Sequence, residues 1–315
     1  MVETVVSVAL PADEKLEIKK MRYVNMSVTK KEEIAKLPRI SVVTGTHGDE
    51  LEGQSVCYEL GRIIKENMEC LQGIVDIYPA LNPLGIDSIT RGIPGFDIDM
   101  NRIFPGSKDG SMAEHIAAGI VKDIAGSDLC VDIHASNIFL KEIPQIRISE
   151  STSEQLVPMA KKMNIDYIWV HSAATVLEST LAHSLNTIGT PTLVVEMGVG
   201  MRLTEEYTKQ MVDGLLYMMK DMGIWSGDVI EKPKKPIVSE DGKVSFFNAK
   251  GAGVFIPKVK HCDMVKKGDV IGNIVNPLTA EVVDEITSPC NGLIFTLREY
   301  PVVDEGSLIA RILEM

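Results

Sequence analysis

Metal-binding side chains stand where two short apolar runs of this chain end. His47-Gly48-Asp49-Glu50 follows RISVVTG (39–45), and His134 follows LCVDI (129–133). Imidazole nitrogen and carboxylate oxygen are ordinary zinc ligands, and a set of three leaves a fourth position open for water, as catalytic zinc sites do. His47 and Glu50 are three residues apart where a strand turns into a helix, so both can project to one side. Gly45 and Gly48 permit a tight turn there. The same four residues also suit a plain helix N-terminus with Asp49 and Glu50 facing the dipole. His134 taken alone suits a buried histidine bonded to backbone. Three candidate ligands at one sheet edge favour the metal over both. Asp132, two residues before His134 and so on the same face, is placed to accept the other ring N–H and fix the tautomer.

Glu196 ends another apolar run, PTLVV. A carboxylate closing a buried strand must be paired, solvated or functional. Beside a metal-activated water it suits a general base; otherwise it is a capping or salt-bridging glutamate. The stretch 87–106, DSITRGIPGFDIDMNRIFPG, lacks strand or helix period and carries Arg91, Asn101 and Arg102. An arginine there can hold a substrate carboxylate or polarise a carbonyl, or simply belong to a surface loop. Rival chemistries lack their motifs. There is no GxSxG elbow, no GxxxxGK[ST] loop, and the GVG and GAG triplets are not completed to GxGxxG. The five cysteines form no CxxC pair, which argues against a disulfide framework and a cysteine-type zinc site.

The elements that must position these residues alternate. Strands are expected at 39–45, 74–78, 129–133, 165–170 and 191–196, and helices at 50–66, 112–125, 152–163, 175–188 and 204–222. Residues 1–35 alternate loosely (Val5, Ser7, Ala9, then Tyr23 to Val28) and read as an N-terminal β extension feeding the sheet. The pattern predicts an α/β fold with a mixed, largely parallel sheet flanked by helices. Ligands in such folds sit beyond the carboxyl ends of the strands, where the histidines and Glu196 fall. Residues 226–243, SGDVIEKPKKPIVSEDGK, read as a linker. After it, 244–315 consists of short β runs between glycine turns, a small all-β domain following a catalytic domain of 1–225.

The whole chain has 315 residues, enough for about two domains at roughly 150 residues each. Apolar residues are 45% and charged residues 24% of it, an ordinary globular balance. With 32 Lys and Arg against 44 Asp and Glu, the net charge of −12 argues against a general nucleic-acid binder. No basic, apolar leader opens the sequence and no run of 18 apolar residues occurs, so neither a secretory signal nor a membrane span is expected. The cysteine usage suggests a reducing, cytoplasmic setting. The Met-rich helix 204–222 reads as core packing.

In this order GTHGDELEG (45–53), NPLG (82–85), DMNRIFPG (99–106), DIHA (132–135) and VVEMG (194–198) resemble the succinylglutamate desuccinylase/aspartoacylase branch of the zinc carboxypeptidase superfamily. The resemblance implies a zinc carboxypeptidase-like fold and one zinc per chain, held by His47, Glu50 and His134. It implies Glu196 as general base and acid, Asn101 and Arg102 as anchors of a substrate carboxylate, and an upstream arginine, for which Arg91 is the candidate, to polarise the scissile carbonyl. Arg147 and Arg202 are candidates for side-chain selectivity, and His183 matches no motif. The segments VKKGDVIG, SPCNG and VDEG after residue 264 resemble a biotinyl/lipoyl-type barrel-sandwich hybrid. The stretch NPLTAEVVDEI (276–286), where such carriers present their lysine, has none, so a cap over the cleft or a homo-oligomer contact is expected of it instead.

The expected activity is zinc-dependent hydrolysis of the amide bond of a small N-acyl amino acid. A zinc carboxypeptidase acting on peptides, and a non-catalytic metal or metabolite binder, are the alternatives. The ligand residues alone do not separate the first two.

Overall fold

In the computed structural model the described residues are all but 26, 97, 173–177 and 241–243. The chain opens with a hairpin, β1 (Val2–Ala9) and β2 (Lys15–Val24), and a single turn α1 (Lys31–Ile34). Then come β3 (Arg39–Thr44), α2 (Glu52–Glu66), β4 (Ile74–Tyr78), α3 (Pro83–Ser88), α4 (Met112–Ile124) and β5 (Leu129–Ala135). They are followed by β6 (Leu140–Ser149), α5 (Ser153–Ala160), β7 (Tyr167–His171), α6 (Leu181–Thr187), β8 (Thr192–Gly198) and α7 (Glu205–Asp221). Beyond lie β9 (Ile237–Glu240), β10 (Val244–Asn248), β11 (Gly253–Pro257), β12 (Met264–Val265) and β13 (Val270–Asn276). The last strands are β14 (Glu281–Thr287), β15 (Gly292–Arg298), β16 (Val302–Val303) and β17 (Leu308–Glu314).

The main sheet is mixed, in the order β1-β2-β4-β3-β5-β8-β6-β15-β17-β10. Its centre is parallel: β3 pairs with β4 and β5, and β5 with β8. Both faces of this centre are covered, which explains why its strands read as near-continuous apolar runs. On one face α2 and α7 pack Val56, Leu60, Met211, Leu215 and Met219 against Val42, Val131 and Val195. On the other, α4 and α6 pack Ile116, Ile120 and Leu185 against Val43 and Cys130. The methionines of α7 are core residues. No helix among the described residues is long and apolar enough to cross a membrane.

Several elements depart from the sequence expectations. β6 has no counterpart among them. It joins β8 antiparallel on one side and meets β15 and β7 on the other. Its sequence LKEIPQIRIS mixes charges and a proline into the run, and these suppress the β signal that burial would otherwise leave. Within the stretch expected as a linker, β9 is a strand, pairing parallel with β7. The helix expected at 175–188 is found as α6, and residues 175–177, like Met26 in the expected N-terminal strand, lie outside the described ones. The C-terminal part contributes a four-stranded antiparallel sheet, β14-β13-β11-β16, but β15, β17 and β10 continue the main sheet through β6.

The join is also packed. Phe295 on β15 is fully buried, with its ring 5.1 Å from that of Tyr167 and 5.6 Å from that of Trp169 on β7. Deleting such a ring leaves a cavity as well as lost transfer energy. Phe295→Ala should therefore destabilise the protein by about 3–5 kcal/mol, read as a lowered midpoint in urea unfolding.

Candidate metal centre

The centre is built at the carboxyl ends of β3 and β5. After β3 the chain turns sharply through Gly45 to Gly48 and enters α2. Gly48 lies against the backbone of α3, where a Cβ would sit 1.9 Å from the Gly85 carbonyl carbon. The NPLG segment accounts for that contact. Asn82 caps α3 by accepting from the Gly85 N–H at 2.9 Å, and its Nδ2 donates to the Gly92 carbonyl at 3.0 Å. One turn thus holds both the His47 loop and the start of the loop bearing Arg91.

His47, Glu50 and His134 converge, with one ligand atom from each within 4.8 Å of the others, and all three are buried. His47 Nδ1 lies 2.7 Å from Glu50 Oε1, and His134 Nδ1 lies 2.9 Å from Glu50 Oε2. The outer nitrogens point away from this focus: His134 Nε2 is 3.1 Å from Asp132, and His47 Nε2 is 3.0 Å from Asp99. With Nε2–H donated to its outer carboxylate, each ring would offer the Nδ1 lone pair to an ion at the focus. Two inward nitrogens and a carboxylate, each histidine backed by an acid, form a donor set that fits a zinc ion.

The electrostatics follow from burial and partners. Burial alone would push the Glu50 carboxyl up, but His134 and His47 hold it well below the usual carboxylate range. The Asp99 carboxyl is likewise lowered, His47 outweighing burial. Burial opposes protonation of both imidazoles, yet their acidic partners raise them, His134 strongly through Asp132 and Glu50.

Glu196 is the register partner of His134 across β5 and β8. Asp132, His134, Val194 and Glu196 all line one cleft of about 710 Å³. Burial pushes the Glu196 carboxyl up to about 7, with Arg147 pulling the other way at 3.3 Å. Arg91 donates to Glu50 at 2.9 Å and to Asp99 at 3.2 Å, and so stands at the edge of the centre. Asn101 accepts from the Leu181 N–H at the start of α6, at 2.9 Å. Arg102 is exposed at the cleft wall and donates to the Asn101 carbonyl. The structure therefore brings all seven of these sequence-derived residues to one cleft. Arg147 and His183 also line it, whereas the exposed Arg202 does not.

Sequence reasoning missed Asp99, Glu142, His171 and Arg311, which line the cleft or back its ligands. Asp99 sits two residues before Asn101, and its place in that loop was a usable signal. Arg311 interrupts the apolar run LIARIL of β17, and a single charge in a buried strand was the other.

Known proteins resemble this chain over most of its length. The model of the succinylglutamate desuccinylase/aspartoacylase catalytic domain matches residues 36–222. The N-alpha-acetyl-L-2,4-diaminobutyric acid deacetylase of Halomonas elongata is 24% identical over 286 residues, which cover 88% of this chain and 82% of that protein. The product-bound structure of the ectoine utilization protein EutE (DoeB) from Ruegeria pomeroyi superposes with a TM-score of 0.82 at 20% identity, covering 98% of this chain and 93% of that one. A succinylglutamate desuccinylase/aspartoacylase structure from Rhodobacter sphaeroides gives 0.80 at 21% identity, covering 99% and 95%.

A metal ion must compete with protons for both imidazoles, whose affinity for protons is raised here. Zinc affinity, measured against a competing chelator, should therefore rise with pH until both rings are neutral. Asp99→Asn and Asp132→Asn should each weaken zinc binding by about 10–100-fold at fixed pH, because each removes the group that orients a ligand ring.

Proposed function

Because the chain belongs to the succinylglutamate desuccinylase/aspartoacylase family, we propose that it is a zinc-dependent amidohydrolase that removes the acyl group from a small N-acyl amino acid. The observation that carries this reading is the pairing across β5 and β8. It sets a carboxyl group raised to about 7 beside a two-histidine, one-glutamate donor set, in one cleft. His47, Glu50 and His134 are the residues that would hold the zinc. When bound, such an ion lowers the pKa of water toward about 7 and polarises a carbonyl oxygen.

The chain's own groups supply the rest. The substrate carboxylate is met by the Arg102 guanidinium and by Asn101 Nδ2, since Asn101 Oδ1 is already engaged by α6. Arg91, held against Glu50 and Asp99, offers its guanidinium to the acyl oxygen as negative charge develops there. Glu196 takes the proton of the attacking water as the C–O bond forms, then delivers it to the amine nitrogen as the C–N bond breaks. A carboxyl poised near neutrality serves both transfers. The cleft volume suits a small-molecule substrate.

The Halomonas deacetylase makes N-acetylated diamino acids the first substrates to test. We assign the protein to the cytoplasm, in keeping with five cysteines that are all free.

The test is turnover on a panel of N-acetyl and N-succinyl amino acids beside short peptides, with zinc removed and restored. Hydrolysis of the acyl amino acids that stops with chelation and returns with zinc is expected. A preference for peptides would make the protein a carboxypeptidase instead. Glu196→Gln should keep about one zinc per chain yet lose about 10²–10⁴-fold in kcat. Wild-type turnover in that variant would remove Glu196 from the role of base.

A further inference from the structure

A chain of alternating charges leads away from Glu196. Its carboxylate meets Arg147 Nη1 at 3.3 Å, and Arg147 Nη2 donates to both oxygens of Glu142, at 3.0 and 2.9 Å. Glu142, almost fully buried, also accepts from Arg311 Nη1 and from the Thr296 hydroxyl. The strand register explains the row. Thr296 pairs with Glu142 across β15 and β6, and with Arg311 across β15 and β17, so the three stand side by side on adjacent strands. Glu142 and Arg147 are five residues apart on one strand and would face opposite sides of a regular sheet. The register shift between Glu142 and Gln145 against β8 brings both to the cleft. Arg147 is further seated over the Trp169 ring, and Arg311 over that of Phe246.

Glu142 carries one negative charge in a place where charge is expensive to leave uncompensated. Two guanidinium groups share that task. While Arg311 supplies one of them, Arg147 can divide itself between Glu142 and Glu196. Without Arg311, the buried Glu142 would draw Arg147 toward itself and off Glu196, because the attraction is strongest where water is excluded.

We infer that Arg311, contributed by the last strand of the C-terminal part, is a positioning residue that acts through Glu142 and Arg147 to fix where the Glu196 carboxylate points. The inference rests on the reading of Glu196 as the hydrolytic base. It gives the C-terminal strands a share in the reaction that a cap or an oligomer contact would not have.

The experiment compares the full-length, zinc-loaded wild type with Arg311→Met and Arg311→Lys for kcat, KM, zinc content and melting temperature. Arg311→Met should lose about tenfold or more in kcat, given that displacing a reacting group by about 1 Å can cost roughly a hundredfold. Its KM and zinc content should stay at wild-type values. Arg311→Lys, which returns a cation to Glu142, should recover most of the loss. Unchanged kcat in Arg311→Met overturns the inference. So does a raised KM with kcat intact, which would mean that Arg311 touches substrate, and so does a lysine variant as slow as the methionine one. Should Arg311→Met fail to fold, Thr296→Val removes one support of Glu142 without unbalancing charge. It should lower kcat by about threefold, within what the net loss of one hydrogen bond can shift, and wild-type kcat there is the overturning result. A crystal structure of the folded variant is the readout independent of turnover. Opening of the Glu196–Arg147 contact is expected, and its retention overturns the inference even if the wild type hydrolyses nothing on the panel.

Discussion

The Glu50 carboxylate is the constraint around which the site is organised. It is buried, and a buried carboxylate persists only when its charge is matched and its lone pairs are used. Here the matching comes from His47, His134 and Arg91, with the Ala135 N–H at 3.2 Å as a further donor. Apart from His47, these donors come from elements other than the turn that holds Glu50. Glu50 lies two residues before α2, His134 and Ala135 end β5, and Arg91 comes from the loop after α3. The parallel centre of the sheet solves this by bringing the carboxyl ends of its strands to one edge, and the caps of the following turns lock the loops there.

The outer carboxylates extend the same logic. Asp132 and Asp99 each hold the far nitrogen of a histidine, so both rings present Nδ1 to the centre. Asp99 also holds Arg91 and the Asn101 N–H, so the loop that carries the carboxylate anchors is tied to the loop that carries the ligands. Around Gly198, with φ +68°, a Cβ would sit 1.9 Å from Glu52 Oε1. Glu52 in turn holds Thr204 just before α7. Gly198, two residues after Glu196, is therefore what allows β8 to end beside α2, while the Glu196 side chain lines the cleft.

The C-terminal strands are part of this arrangement rather than an appendage to it. β15 and β17 prolong the main sheet through β6, Phe295 packs into β7, and Arg311 reaches the wall of the cleft. Proteins only 20–21% identical to this one share the fold over nearly its whole length. That is consistent with a framework set by sheet pairing and buried charge more than by particular apolar side chains, which tolerate exchange when volume and pattern are kept.

The sequence alone determined the alternation of buried strands and helices, because a strand covered on both faces must be apolar throughout and a helix must keep its 3.6-residue period. It also put the metal-type residues at strand ends, since strand termination and the HGDE and DIHA segments are adjacent in the chain. Other features were decided only in three dimensions. β6 was hidden because Lys141, Glu142, Pro144 and Arg147 break its apolar pattern, and the Glu142–Arg147 pair is completed by Arg311 and Glu196, far away in sequence. Asp99 became the partner of His47 across 52 positions. Arg311 came to stand by Glu142 across 169. Local periodicity reports which face of an element is buried; it carries no record of which buried charge will meet which, because that pairing is fixed by strand order and register.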